Sequence, residues 1–183
     1  MINLIKKEVL FIEYGTLAKT ISGKKIKEDL SDFRIQVPLL DKIKLSLPNV
    51  RYVFIVGNKY GISNPKEISD FYTELFCVET MCQYHLGNYP IRSLQTDNRI
   101  SIESKDKEDM MPNAWMLQDL CDRWLMRSYG GQDRETVRKW CCEKNNMLMI
   151  GKTEESKECS NNFDIDYVDV DELQGINKHE DDK

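Results

Sequence analysis

The chain has 183 residues, 40% of them apolar and 31% charged, with a formal net charge of −5. That length supports one core-forming domain, and the acidic balance removes the electrostatic case for nucleic-acid binding. No apolar run approaches the roughly 18 residues a membrane-crossing helix needs, so no membrane association is expected.

The first apolar run, Val9 to Ile12, is bracketed by Glu8 and Glu13 and is too short and too charged at its ends for a secretory leader. It reads as a buried strand. Lys19, Lys24, Lys25 and Lys27 follow on a polar stretch, best read as a solvated hairpin rather than a phosphate rail. Pro38 opens a helix over Leu39 to Leu47, since proline suits a first helical turn. Tyr52 to Val56, rich in β-branched and aromatic residues, is the second strand.

Pro65 opens a longer helix, with Ile68, Phe71, Tyr72, Leu75, Phe76 and Cys82 at helical spacing and a stop near Gly87. Ile91 to Leu94 is a further strand candidate, and the charged stretch Ser101 to Asp109 is a surface loop. Pro112 and Asn113 precede a helix carrying Trp115, Leu117, Leu120, Cys121, Trp124 and Leu125, ended by Gly130 and Gly131. Asp133 is positioned to cap another short helix with Val137, Trp140 and Cys141. Met147 to Ile150 is the third strong strand, Glu154 and Glu155 open a helical pattern, and Tyr167 to Val170 is a last strand candidate.

Strands alternating with helices imply βαβ units and a mostly parallel sheet covered on both faces. One domain is expected over residues 1–173, with a polar tail over 174–183. The six cysteines form no Cys-x-x-Cys pair, and with two histidines no zinc spacing arises. Reduced thiols in the cytoplasm are the expectation.

Ligands of parallel α/β sheets sit at the carboxyl ends of the strands. Those places read Ile12-Glu13-Tyr14-Gly15-Thr16-Leu17, Gly57-Asn58-Lys59-Tyr60, Met110-Met111-Pro112-Asn113 and Gly151-Lys152-Thr153-Glu154-Glu155-Ser156. In their order and spacing they resemble the four motifs of the haloacid dehalogenase (HAD) superfamily. The resemblance is to its small IIIA-type phosphatases, related to histidinol phosphatase and the polynucleotide 3′-phosphatase domain. It runs from about Glu8 to Leu173, and includes Ser22-Gly23-Lys24, Asp32-Phe33-Arg34 and Phe163-Asp164-Ile165-Asp166-Tyr167. It implies a HAD-like, Rossmannoid three-layer sandwich with a small cap or none.

The same resemblance implies a phosphatase mechanism whose acids this chain lacks. The attacking Asp falls on Ile12 and the proton-shuttling Asp on Tyr14. The phosphate-binding hydroxyl falls on Gly57, beside a retained Asn58, and the phosphate-neutralising lysine falls on Met111, with Lys105 and Lys107 nearby. The metal-holding acids fall on Lys152 and Ser156. Magnesium, the family's cofactor, requires oxygen ligands including carboxylate, so no cofactor and no catalytic residue are expected. Strand alternation points Glu13 away from the cleft.

The expected role is therefore that of a catalytically inactive protein acting by binding. The ligand would be a phosphate-containing or anionic small molecule, held by Glu13, Gly15, Thr16, Asn58 and Lys152, with Lys152 replacing the metal's charge. A protein partner, met through Tyr60, Trp115 or the aromatic helix from Phe71 to Tyr84, is the other candidate. The alternative is an active phosphatase that has relocated its acids to Glu13, Glu154 and Glu155.

Overall fold

The computed structural model describes residues 2–23, 31–57, 65–86, 91–93, 111–122 and 143–175. After a helical turn at Leu4–Lys6 come strand β1 (Val9–Glu13), the single turn α1 (Tyr14–Leu17) and two short strands, β2 (Ala18–Lys19) and β3 (Arg34–Ile35). Next are α2 (Val37–Ser46), β4 (Tyr52–Val56), α3 (Pro65–Leu86), β5 (Ile91–Ser93) and α4 (Trp115–Leu120). The chain continues through β6 (Met147–Gly151), α5 (Glu154–Phe163), β7 (Asp166–Asp169) and α6 (Val170–Gly175).

Five strands form one sheet in the order β5-β4-β1-β6-β7, and each adjacent pair is parallel. The central strand pairs in register on both sides, with Phe11 opposite Phe54 and Met149, and Ile12 opposite Ile55 and Ile150. All residues of β1, β4 and β6 are buried. That is why these strands are continuous apolar runs, broken only at the carboxyl end of β1 by Glu13, rather than alternating ones.

Alternation still sorts their side chains between two layers. Leu10, Ile12, Val53, Ile55, Leu148 and Ile150 meet α2, α3 and α6 through residues such as Leu40, Val78 and Leu173. Phe11, Phe54, Val56, Met147 and Met149 meet α4 and α5 through Leu117, Leu120, Cys159 and Phe163. Phe11 stacks on Phe54 with centroids 5.4 Å apart and takes the edge of Phe163 at 6.2 Å. The fold is thus an α/β three-layer arrangement around a parallel sheet.

The expected strands at 9–12, 52–56 and 147–150 and the helices after Pro38 and Pro65 are present, with ends shifted by a residue or two; the strand at 91 and the helix after Pro112 are present over Ile91–Ser93 and Trp115–Leu120, and their expected ends at Leu94 and Gly130 lie outside the described residues. The last strand begins one residue early, at Asp166, and Val170 opens α6 instead of closing β7. That helix runs through Gln174 and Gly175, two residues into the expected tail. Tyr72 and Phe76, read as part of the apolar stripe of α3, are 40% and 68% exposed. The buried stripe is Phe71, Leu75, Val78, Cys82 and Leu86, and residues one position on lie about 100° around the helix. The expected loop over 101–109 and the helix at Asp133 lie outside the described residues. Lys19 lies in the β2–β3 hairpin; Lys24, Lys25 and Lys27 are outside.

At the amino end of the sheet Lys7 is only 2% exposed. Its ammonium donates to the carbonyl of Asn145 and pairs with Asp166, tying the entry of β1 to those of β6 and β7. The partners are unequal, because Asp166 remains 44% exposed and water can solvate it alone. Asp166→Ala leaves a buried cation uncompensated and should cost about 3 kcal/mol. Lys7→Met removes the charge and keeps the volume, and should change stability by less than about 1 kcal/mol. Urea unfolding of the two variants measures this asymmetry.

Two core thiols add a pH dependence. Burial pushes Cys159 up from 9.0 to about 12, and burial, with the Glu79 carboxylate adding to it, does the same to Cys82. The unfolded chain therefore releases these protons first, and stability should fall as pH rises from about 9 toward 12. Urea midpoints across that range should fall, and Cys82→Ala with Cys159→Ala should flatten the slope.

Candidate functional site

The chain steps outward from β1 through β4 to β5, then returns to the other side of β1 to lay down β6 and β7. The order reverses between β1 and β6, and crevices at the carboxyl ends of such strands are where doubly wound sheets hold ligands. Here that place is filled from within. Glu13, the last residue of β1, is 7% exposed. Its Oε2 accepts from the backbone N–H of Lys152 at 2.7 Å and of Thr153 at 3.2 Å, and its Oε1 accepts from Thr153 Oγ1 at 2.8 Å.

The local sequence explains why the acceptor is drawn there. Thr153 is the N-cap of α5, and its Oγ1 also accepts from the N–H of Ser156 at 3.2 Å. Backbone N–H groups at a helix start have no partner inside the helix and carry the positive end of its dipole. A carboxylate arriving from the neighbouring strand satisfies two N–H groups just ahead of α5. Gly151 makes the approach feasible, because a Cβ there would sit 2.8 Å from Glu13 Oε2 and would collide with Ser156 Oγ. Ser156 is fully buried, and its hydroxyl donates to the carbonyl of Thr153 at 2.8 Å. Burial raises the phenol of the adjacent Tyr167 above its ordinary range.

A second cluster closes the edge between β1 and β4. Tyr14 lies across the end of β1, its hydroxyl donates to the buried Glu74 of α3, and its ring meets Phe71 edge-on at 5.9 Å. Burial, with Cys77 adding to it, holds the Tyr14 phenol well above its ordinary range. A Cβ on Gly57 would come within 3.1 Å of Tyr14 Cβ. A side chain at 57 would therefore crowd the Cβ of Tyr14, which would have to shift by a few tenths of an ångström.

The remaining sequence-selected residues separate. Ile12 is fully buried among Leu10, Ile55 and Ile150, and Met111 is buried beside Phe11 and Phe54 on the opposite face. The turn after Met111 is fastened to α5, with Asn162 Nδ2 donating to the Pro112 carbonyl at 2.8 Å and the Cys159 thiol donating to the Asn113 carbonyl at 3.2 Å. Thr16 donates to the Glu13 carbonyl at 2.7 Å, and Gly15 lies exposed with open space about it. Lys152 sends its ammonium to Asp171 of α6 at 2.8 Å, an exposed pair that raises the lysine and lowers the aspartate from their ordinary values. Asn58, Lys59, Tyr60, Lys105 and Lys107 lie outside the described residues.

Alternation does set Glu13 on the face opposite Ile12, as expected. At the strand end, however, that face is the head of α5, so the carboxylate points into the switch-point crevice. Thr153 was legible as a cap from the Thr-x-x-Ser pattern ahead of a helix; Glu74, a lone acid on an amphipathic helix, gave no signal.

The described side chains at this place are poor magnesium ligands. The carboxylate at the crevice already accepts three hydrogen bonds, and the nearby motif positions offer isoleucine, tyrosine, lysine and a serine bonded to its own turn. Among the described residues no group of three or more His, Cys, Asp or Glu side chains is arranged to hold a metal ion. No protein-family model matches this chain, and no curated protein matches it.

Gly151→Ala should lower stability by about 2–4 kcal/mol, because it pushes apart Ser156 and Glu13 at once. Glu13→Gln keeps the shape, loses the charge-assisted bonds and should cost about 1–3 kcal/mol. Thermal and urea unfolding of both variants measure these costs.

Proposed function

We propose that this chain is a non-catalytic member of the HAD-type phosphatase group that works by binding a protein partner. The parallel sheet, its central first strand and the position of the motif residues at the carboxyl edge support the kinship. The observation that carries the functional reading is the Glu13 carboxylate, held by Lys152 N, Thr153 N and Thr153 Oγ1 where a ligand anion would be received. An incoming phosphate would have to expel it.

Of the two binding roles, this disfavours a small anionic ligand. Lys152, the candidate for a metal's charge, is engaged with Asp171 and stands 53% exposed. A cytoplasmic setting accords with the free thiols of Cys77, Cys82, Cys121 and Cys159. No helix among the described residues is long and apolar enough to cross a membrane.

The active-phosphatase alternative rests on Glu13, Glu154 and Glu155. Glu154 and Glu155 occupy the first turn of α5, where acids favour the helix dipole regardless of chemistry. The purified chain should not hydrolyse an aryl phosphate with or without magnesium, and Glu13→Gln should change nothing in that assay. Calorimetric titration with inorganic phosphate should show no binding. Magnesium-dependent turnover that Glu13→Gln abolishes would establish the phosphatase instead.

A further inference from the structure

We infer that the outer face of α3 is a self-association surface, on which a second copy of this chain lays its own α3 in antiparallel orientation to form a weak twofold dimer. No group of the Glu13 crevice takes part, so this dimer does not depend on the carboxyl edge being inert.

Opposite the buried stripe of α3, the exposed residues from Tyr72 to Tyr84 are Tyr72, Thr73, Phe76, Thr80, Gln83 and Tyr84, and none is charged. In a chain that is 31% charged, the solvent side of an amphipathic helix would ordinarily carry lysines and glutamates. Aromatic residues without charge are instead the composition of an interface centre. The charged side chains described on α3 lie elsewhere. Lys66 precedes the strip, Asp70 and Glu79 are half-buried on its flanks, Glu74 is buried under Tyr14, and His85 is turned to Asp41 of α2. The strip is also prepared for desolvation. Thr73 Oγ1 donates to the Ser69 carbonyl at 2.9 Å and Thr80 Oγ1 to the Phe76 carbonyl at 2.8 Å, so neither donor needs a partner from across an interface. Tyr72 leans on Phe71 at 5.9 Å and Tyr84 on the edge of His85 at 5.3 Å, which lowers the cost of ordering both rings.

The absence of charge selects the occupant. Two copies of a chain with net charge −5 repel each other, so they come together most readily through a face that adds no like charges at the contact. The strip is also complementary to itself. A twofold axis at Phe76 opposes the two helix dipoles, sets Phe76 on its counterpart, and lays Tyr72 against the second copy's Thr80 and Gln83 against its Ser69. The Gln83 amide both donates and accepts, as does the exposed Ser69 hydroxyl, so that polar contact closes on itself. Phe76, Tyr84 and Tyr72 are 68%, 80% and 40% exposed, and the three rings bring about 400 Å² to each side. That is about half of the roughly 800 Å² per partner of a standard interface. With Thr73, Thr80 and Gln83 added, the contact suffices for a dimer that dissociates at about 10–100 μM.

Sedimentation equilibrium of the full chain from about 1 to 500 μM tests this. The weight-average mass should rise from 21.5 kDa toward twice that value and stop there. Phe76→Glu, at an exposed position, should weaken association at least about tenfold while leaving the thermal transition in place. Tyr72→Glu should weaken it too, and adding Thr80→Lys should recover part of the loss, because antiparallel pairing sets residue 72 of one copy against residue 80 of the other. Raising the salt should tighten the parent dimer by screening the repulsion between copies. A chain that stays monomeric throughout, growth past the dimer, association that Phe76→Glu leaves intact, or weakening by salt would each overturn the self-association surface. Failure of Thr80→Lys to rescue Tyr72→Glu would overturn the antiparallel pairing.

Discussion

The carboxylate of Glu13 sits where the strand order of the sheet reverses, and the carboxyl edge is arranged around it. An ionised side chain that is almost fully buried has to be met by donors, since desolvating it without them costs far more than the fold can supply. Three donors come from a single turn just ahead of α5: the N–H groups of Lys152 and Thr153 and the Thr153 hydroxyl. Each side satisfies what the other would leave unpaired. The contact joins the central strand to the helix after β6, and it commits Gly151 to having no side chain.

Beside it, Tyr14 and Gly57 form a second matched pair. The Cβ of Tyr14 lies against Gly57, its ring meets Phe71 and its hydroxyl reaches Glu74. Lys152 is drawn outward to Asp171, and among the described residues Tyr14 and Ser156 likewise bond to neighbours within the chain. These internal contacts are the physical ground of the proposal that the protein is a binding module rather than a phosphoryl-transfer enzyme. The opposite edge behaves differently. There Lys7 and Asp166 cross-link three strand entries, and the turn after α2 lies between an apolar cavity and a polar one lined by Glu8 as well as Lys6 and Arg51.

Most of the framework was legible from the chain alone. Val9 to Ile12, Tyr52 to Val56 and Met147 to Ile150 are apolar in every position because a parallel sheet buried on both faces permits nothing else, and that signal survives without homologues. Prolines 38, 65 and 112 marked the helix starts because proline lacks the N–H that an interior turn requires. That residues 12, 14, 152 and 156 carry no carboxylate was equally plain, since a side chain's chemistry is written in its identity. Periodicity did less well on α3, where Phe71 and Tyr72 are adjacent aromatics and only the position of α2 and the sheet decides which one is covered.

What tertiary structure alone decided is where the charged and aromatic ends go. Glu13 and Lys152 are 139 residues apart in the chain and meet only because β1 and β6 are neighbours in the sheet. Tyr14 finds Glu74 only because α3 crosses the end of β1. Identity and local spacing specify strands, helices and the absence of a chemical group. They do not specify the partner of a long polar side chain, because hydrogen-bond geometry depends on distances of a few ångströms between segments that the chain joins through many residues.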